Sequence, residues 1–288
     1  MKPFKKNFDL QDFVPFRFVY CQTKTPESEL PNHFHDWYEI VYVYGGKGTF
    51  FIDYSFIDME KGDFFVIPAN TIHYSIPNSE SPITSSAIFF NPLLIANQSS
   101  RDTFSYLQIF DESSRLNNYR YSLNNEQQKH IETLIDNIES EFTQKKFGYN
   151  QAAVLQLQLI LLHINRSIIH QHSSYTSTQK GIPMWLRMIL EYIEEHFSEK
   201  ITLSFLAKYG NVSSAHLSRV FKQMTGLNVS EYIKMKKILK AKQLLLKTEE
   251  NVSSIADQCG FESMPYFHRT FKKMMDMTPS QYRNSTKA

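Results

Sequence analysis

Between residues 15 and 92 the apolar positions fall in short runs separated by turn residues. Trp37–Tyr44 is rich in β-branched and aromatic side chains and stops at Gly45 and Gly46; Thr49–Tyr54, Asp63–Ile67 and Ser86–Phe90 repeat the pattern at short intervals. Many short strands at even spacing predict a sandwich or barrel. From about Asn124 the period lengthens. Ile131, Leu134, Ile135, Ile138 and Phe142 fall at i, i+3, i+4, i+7 and i+11, the stripe of an amphipathic helix, and Asn124 with Gln127 has the form of a capping box. A second helix is predicted over about Tyr149–Ile169, with Ala152, Leu155, Leu159, Leu162 and Ile169 on one broad face. Two such stripes have to be covered, either by one another and the sheet or by a second copy of the chain, and the pattern fits both.

Residues 171–182 are polar, Ser/Thr-rich and aperiodic, and read as a linker. After it, Pro183 suits the first turn of a helix carrying Leu186, Ile189, Leu190, Ile193 and Phe197, and helical patterns run to the end.

A chain of 288 residues has room for two domains, and 42% hydrophobic residues with only 9 Gly exclude disordered and collagen-like classes. No stretch reaches the roughly 18 apolar residues of a membrane span, and the start, Met1–Lys6, lacks the apolar core of a secretory signal. The expected compartment is the cytoplasm, where Cys21 and Cys259 stay as thiols. The net charge of +2 divides unevenly: residues 1–182 hold 15 Lys/Arg against 19 Asp/Glu, residues 183–288 hold 16 against 10. A basic last third points to a polyanion-binding module.

That basic segment contains an internal echo. Ile201–Gly210 leads into Ser213–Lys222, and Val252–Gly260 leads into Ser263–Lys272. Each reads as helix, turn, helix. Ala207 and Ala256 are small where the helices would cross, Gly210 and Gly260 lie in the turns, and Ser213 and Ser263 can cap the second helices. Leu217 with Phe221, and Phe267 with Phe271, would be buried at i and i+4. The other face carries Ala215, His216, Ser218, Arg219 and Lys222 in one unit and Met264, Pro265, His268, Arg269 and Lys272 in the other. One stripe fixes such a helix to its scaffold, and the opposite stripe offers donors to base edges and phosphates. Between the units, Val229–Leu246 reads as one helix whose Lys236, Lys240, Gln243 and Lys247 form a cationic stripe suited to phosphate.

Ile255–Phe261, Tyr266–Lys273 and Thr278–Arg283 together resemble the C-terminal signature of the AraC/XylS-type transcription regulators. The resemblance implies two helix-turn-helix units joined by a long helix, both recognition helices reading one face of double-stranded DNA, with RNA polymerase as a further partner. Three positions depart from the family pattern: Asp276 where Gly is usual, Lys237 where Arg is usual, and Pro265 where a small polar residue is common. Pro265 is tolerable in a first helical turn but has no N–H to donate.

In the N-terminal half, His33, His35 and Glu39, followed by Gly62, Pro68 and His73, resemble the two halves of the cupin motif, in whose enzymes these histidines and the glutamate bind a divalent metal. On a regular strand His33, His35, Trp37 and Glu39 share one face. Asn70 and Pro77 depart from the second half of the motif. The expected use of His33, His35, Trp37, Glu39 and His73 is therefore contact with a small-molecule effector, without a metal or other cofactor; members resembling this chain often sense carbohydrates. Together the readings give an α+β two-domain protein: a cupin-like β-barrel with a helical hairpin over residues 1–170, a linker over 171–182, and an all-helical domain with two helix-turn-helix units over 183–288. The expected function is a homodimeric, effector-controlled transcription activator rather than an enzyme. The competing readings are a metal-dependent cupin enzyme fused to a DNA-binding domain, and a constitutive DNA-binding protein whose barrel only dimerises.

Overall fold

The computed structural model describes residues 4–6, 15–30, 32–53, 55–95, 104–169, 183–225 and 227–285. Its contacts divide the chain into two units, one of Lys6–Lys180 and the other of Gly181–Ala288 together with Met1–Lys5. The expected linker, 171–182, lies outside the described residues, as does Tyr54.

After a short β1 (Phe4–Lys5), the strands are β2 (Phe16–Lys24), β3 (His33–Phe34), β4 (Tyr38–Gly45), β5 (Gly48–Ile52), β6 (Ser55–Met59), β7 (Asp63–Ile67), β8 (His73–Pro77), β9 (Ile83–Phe90) and β10 (Arg120–Ser122). Helix α1 (Gln108–Leu116) precedes β10, and α2 (Asn125–Gln144) and α3 (Tyr149–Ile169) follow it. Within the first unit one sheet has the order β10–β7–β4–β9–β2 and the other the order β3–β8–β5–β6. The paired strands run antiparallel. Among the described residues no ladder joins the sheets, so the expected barrel is an open pair of sheets.

Strand alternation decides which core each side chain enters. On β4, Ile40 and Tyr42 face the helices, joined by Phe64 and Val66 of β7 and Ile88 and Phe90 of β9. Val41 and Val43 face the other way, with Phe65, Ile67, Ala87 and Phe89, and meet Phe50 and Ile52 of the second sheet. The unit is thus layered as helices, sheet, sheet, with a core on each side of the central sheet.

The capping box at Asn124 and Gln127 is present, and Ile131, Leu134, Ile135 and Ile138 pack on the central sheet. Helix α3 differs from the sequence reading. Its buried face is Ala153, Val154, Leu157, Ile160, Leu161 and Ile164, whereas Leu155 and Leu159 are 50% and 47% exposed. A helix apolar on nearly all sides has two possible inner faces, and periodicity does not rank them.

The second unit comprises α4 (Met184–His196), α5 (Leu203–Tyr209), α6 (Ser214–Thr225), α7 (Val229–Lys247), α8 (Val252–Gln258), α9 (Met264–Met275) and α10 (Pro279–Ser285). Leu186, Ile189, Leu190 and Ile193 of α4 are fully buried. Side chains of Thr202, Asn228 and Asn251 cap α5, α7 and α8 by accepting backbone N–H groups.

The two helix-turn-helix units correspond differently from the sequence alignment. The N–H of Val212 donates to Ala207 O, and that of Phe261 to Ala256 O. The left-handed residue just before each is Asn211 (φ 52°) in the first turn and Gly260 (φ 72°) in the second. Gly260 is therefore the counterpart of Asn211, while Gly210 (φ −82°) matches Cys259 (φ −85°), and the second turn carries one more residue. Ser213 caps α6 by accepting the His216 N–H at 3.2 Å. Ser263 makes no such bond to α9, where Pro265 occupies the first turn.

Candidate functional site

The sensor-side residues meet between the two sheets. His33 on β3 is directly opposite His73 on β8, and Glu39 on β4 lies between Ile67 and Phe89 of the neighbouring strands. The chain breaks strand geometry at residues 35–37 to pass from one sheet to the other. The four polar residues converge from two sheets, so the single regular strand assumed in the sequence reading is corrected, although Glu39 does face the core between the sheets.

All four are buried: His33 5%, His35 1%, Glu39 5% and His73 1% exposed. The Nε2 atoms of His35 and His73 lie 3.0 and 2.9 Å from the same Glu39 oxygen, Oε2. Their Nδ1 atoms point away from it, toward carbonyl oxygens of Trp37 at 2.8 Å and Thr71 at 2.9 Å. Carbonyls only accept, so each Nδ1 carries the proton. Burial alone would raise the Glu39 pKa, but His73 and His35 outweigh it and hold the carboxyl well below its ordinary range. Burial lowers the pKa of His35 against the opposing pull of the Glu39 hydrogen bond. The His33 ring is centred 4.3 Å from that of His73, and ring nitrogens of His33, His35 and His73 lie within 4.8 Å of one another.

Trp37 joins the site through its backbone carbonyl, while its indole belongs to the core with Val41, Phe50, Phe65 and Phe89. Sequence reading missed Lys6. Its ammonium sits 4.1 Å over the Phe89 ring; burial lowers its pKa, and the nearby Glu39 charge opposes that shift. A single lysine ahead of the first long strand carries no periodic signal that would have found it.

In the second unit, α6 buries Leu217 and Phe221 and α9 buries Phe267 and Phe271, as the pattern requires. The opposite face of α6 exposes Ala215, His216, Arg219 and Lys222, with Ser218 half-buried. A guanidinium nitrogen of Arg219 is 3.2 Å from His216 Nδ1, and the His216 ring stands 5.4 Å from that of Trp185. On α9, Pro265, Arg269 and Lys272 are exposed and Met264 and His268 half-buried. Arg269 lies 5.9 Å over the ring of Tyr266, an exposed aromatic absent from the sequence-derived set.

The linking helix divides its lysines. Lys240 is exposed, and the side chain of Lys247 lies outside the described residues. Lys236 reaches Glu194 of α4 at 2.6 Å with only 11% of its side chain exposed, so its charge is already engaged. Lys237 donates to the Gly260 carbonyl at 2.7 Å, fixing the turn of the second unit.

Comparison with known proteins agrees with this division. Residues 18–161 match the AraC-like ligand binding domain and residues 206–285 a helix-turn-helix domain. The HTH-type transcriptional regulator YdeC of Bacillus subtilis (strain 168) is 28% identical over 254 residues, 88% of this chain and 86% of that protein. The bifunctional transcriptional activator/DNA repair enzyme AdaA of the same organism is 37% identical over 103 residues, 36% of this chain and 49% of that protein. Among solved structures, the C-terminal domain of the two-component response regulator yesN from Fusobacterium nucleatum is 43% identical, covering 33% of this chain and 93% of that one, with a TM-score of 0.32. Among the described residues no helix is long and apolar enough to cross a membrane. The chain belongs to the AraC-type regulators: it is a DNA-binding transcription regulator that carries an AraC-like ligand-binding domain ahead of its helix-turn-helix domain.

Proposed function

We propose that this regulator is a cytoplasmic homodimer whose operator binding responds to an occupant of the His33, His35, Glu39 and His73 cluster. The observation that carries the sensor reading is the convergence of three imidazoles and a carboxylate, all buried, between two sheets that otherwise bury apolar side chains. Burying four polar side chains together is costly, so such a cluster between apolar layers marks a site rather than ordinary core. A small occupant suits the cluster better than the carbohydrate expected from the resemblance, because the neighbouring aromatics Trp37 and Phe89 are themselves packed in the core. Activation through RNA polymerase rests on the family resemblance alone.

The DNA-binding reading assigns Ala215, His216, Ser218, Arg219 and Lys222 of α6, and Met264, Pro265, His268, Arg269 and Lys272 of α9, to the groove-facing surface, with Lys240 toward phosphate. Lys236 is left out of the proposed contacts because Glu194 holds it. Binding to an operator selected from a randomised duplex pool tests this. Log K should fall with log salt at about −0.9 per phosphate neutralised, a slope of several units. An affinity that ignores salt would remove the electrostatic basis of the interface.

Dimerisation is assigned to α3. Ala152, Leu155, Leu159 and Leu162 follow one another at spacings of three, four and three, the a/d seam of a coiled coil. The other face of α3 is already filled by its own unit, so this seam is left for a second copy. Leu159→Glu should therefore yield a folded monomer in sedimentation analysis and lose the avidity of two-site operator binding, whereas Leu157→Glu, in the core, should unfold the unit. A Leu159→Glu protein that remains dimeric sinks the assignment.

A further inference from the structure

We propose that His130 of α2 and His163 of α3, with Glu126 one turn before His130, bind one divalent ion of the zinc, copper or nickel class, which staples the two helices together. The site lies on the helical layer, apart from the His33, His35, Glu39 and His73 cluster between the sheets, and is independent of the sensor reading.

The two imidazoles stand where the packing calls for apolar side chains. Their sequence neighbours Ile131 and Ile164 are fully buried and share one apolar cluster with Leu134, Ile138, Leu157 and Leu161. At the edge of that cluster the rings of His130 and His163 face each other, their centres 4.6 Å apart and their planes at 42°. His130 is exposed and His163 half-buried. The Nε2 atom of His163 is itself shut off from solvent and has no hydrogen-bond partner among the described residues. A ring nitrogen in that state is costly. An apolar side chain of similar size would fill the same edge without the cost, so packing alone leaves the pair unexplained.

Spacing, protonation and donor type agree on a shared cation. Two imidazoles bound to one tetrahedral ion at about 2.0–2.1 Å have ring centres roughly 5 Å apart, close to the separation found here. Burial lowers the pKa of His163, and the neighbouring His130 and Arg166 charges push it the same way, against the pull of Glu126. A neutral ring keeps the lone pair that a metal needs, whereas two protonated rings at this distance would repel each other. Glu126 is exposed and precedes His130 by four residues, so both side chains stand on one face of α2 with their Cβ atoms about 5–6 Å apart. Two nitrogens, one carboxylate that turns inward and a water complete a four-coordinate shell. Such a set suits zinc, copper or nickel better than magnesium or calcium, which take mostly oxygen. The ion would join residues 33 positions apart in the sequence, at the edge of a contact held by side chains alone.

The test uses full-length protein purified without an affinity tag, stripped with chelator, dialysed and titrated calorimetrically with Zn2+. One equivalent per chain is expected at this site, and His130→Gln and His163→Gln should each weaken its binding by more than about tenfold. Glu126→Gln should weaken it less, because water takes the place of the carboxylate. His196→Gln, whose ring stacks on Tyr192 in the second unit, should leave it unchanged. A Zn2+ isotherm that superimposes on that of the wild type in folded His130→Gln and His163→Gln proteins overturns the site. If His163→Gln fails to fold, the exposed position of His130 keeps His130→Gln available, and electron paramagnetic resonance at one equivalent of Cu2+ decides. A fall from two coordinated imidazoles in the wild type to one in His130→Gln upholds the proposal, and an unchanged nitrogen count overturns it. Thermal unfolding reads the staple itself: the Tm of the wild type should rise by roughly 5–10 °C at a hundredfold excess of Zn2+ over Kd, and that of His130→Gln should not move at the same concentration. An equal rise in both proteins overturns the staple.

Discussion

Gly260→Val is expected to destabilise the DNA-binding unit by more than about 3 kcal/mol, enough to lower its Tm by over ten degrees. Three features combine at this residue. Its φ of 72° is left-handed, where a β-branched residue pays at least the roughly 1–2 kcal/mol of that region. A Cβ would run into the backbone carbonyl of Ser198, in the turn after α4. Its own carbonyl accepts the Lys237 ammonium at 2.7 Å, so the turn cannot swing away without leaving a partly buried lysine unpaired. Gly260→Asn separates the causes: asparagine tolerates the left-handed region, and any large loss that remains belongs to the clash with Ser198. The counterpart position supplies the control, since Asn211→Gly should be neutral or stabilising. Thermal unfolding of the full chain followed by circular dichroism reads all three. A Gly260→Val protein that melts within a degree or two of wild type would show that the turn can move, contrary to the packing described.

The architecture of each unit was legible where periodicity and chemistry pointed the same way. The run Trp37–Tyr44 is apolar at nearly every position, as a strand with a core on each side requires, and the stripe Ile131, Leu134, Ile138 gives the inner face of α2, which has only one apolar side to bury. Helix α3 broke that logic. Leu155 and Leu159 lie on a face as apolar as that of Leu157 and Leu161, and only packing reveals which set the fold covers. Short strands such as β6 and β8 were not individually marked: burial along β6 does not alternate, and β8 alternates but buries His73, Ser75 and Pro77, which carry no apolar signal.

Site residues follow the same division. His33, His35, Glu39 and His73 stand out because buried polar side chains are costly and rarely accidental, yet parity alone put His33, His35 and Glu39 on one strand, when His33 and Glu39 belong to strands of two different sheets. The break at residues 35–37 has no glycine or proline to announce it. In the DNA-binding unit, the one-residue difference between the two turns is hidden by the glycines themselves. Gly210 and Gly260 align by eye, but the left-handed conformation falls on Asn211 and Gly260, and asparagine is the non-glycine residue that adopts it most readily. Asp276 follows the same rule: it ends α9 at φ 60°, doing with some strain what the family's usual glycine does freely. Lys237 is likewise explained by its bond to Gly260, a turn-fixing contact that a longer arginine would have to make from a different rotamer.

Arg219→Ala is expected to cost about 1–3 kcal/mol on the selected operator, a loss of roughly five- to 150-fold, while binding to random DNA falls much less. Arg219 is exposed on α6, opposite the buried Leu217 and Phe221, and has a neighbour that orders it. His216 Nδ1 lies 3.2 Å from its guanidinium, and the His216 ring in turn stands against Trp185. An arginine positioned before DNA arrives loses less conformational entropy on making a two-pronged contact to a base edge. His216→Ala should therefore weaken operator binding partly through Arg219, and the double variant should lose less than the two single losses together. Arg269 offers the comparison. It lies over Tyr266 rather than beside a polar partner, and Pro265, one turn earlier on α9, contributes no backbone donor. Arg269→Ala should thus have the smaller sequence-specific effect. Fluorescence anisotropy on the selected operator and on a scrambled duplex at one salt concentration measures every arm. Equal losses on both duplexes for Arg219→Ala would make that side chain a phosphate anchor and move base reading elsewhere on the surface of α6.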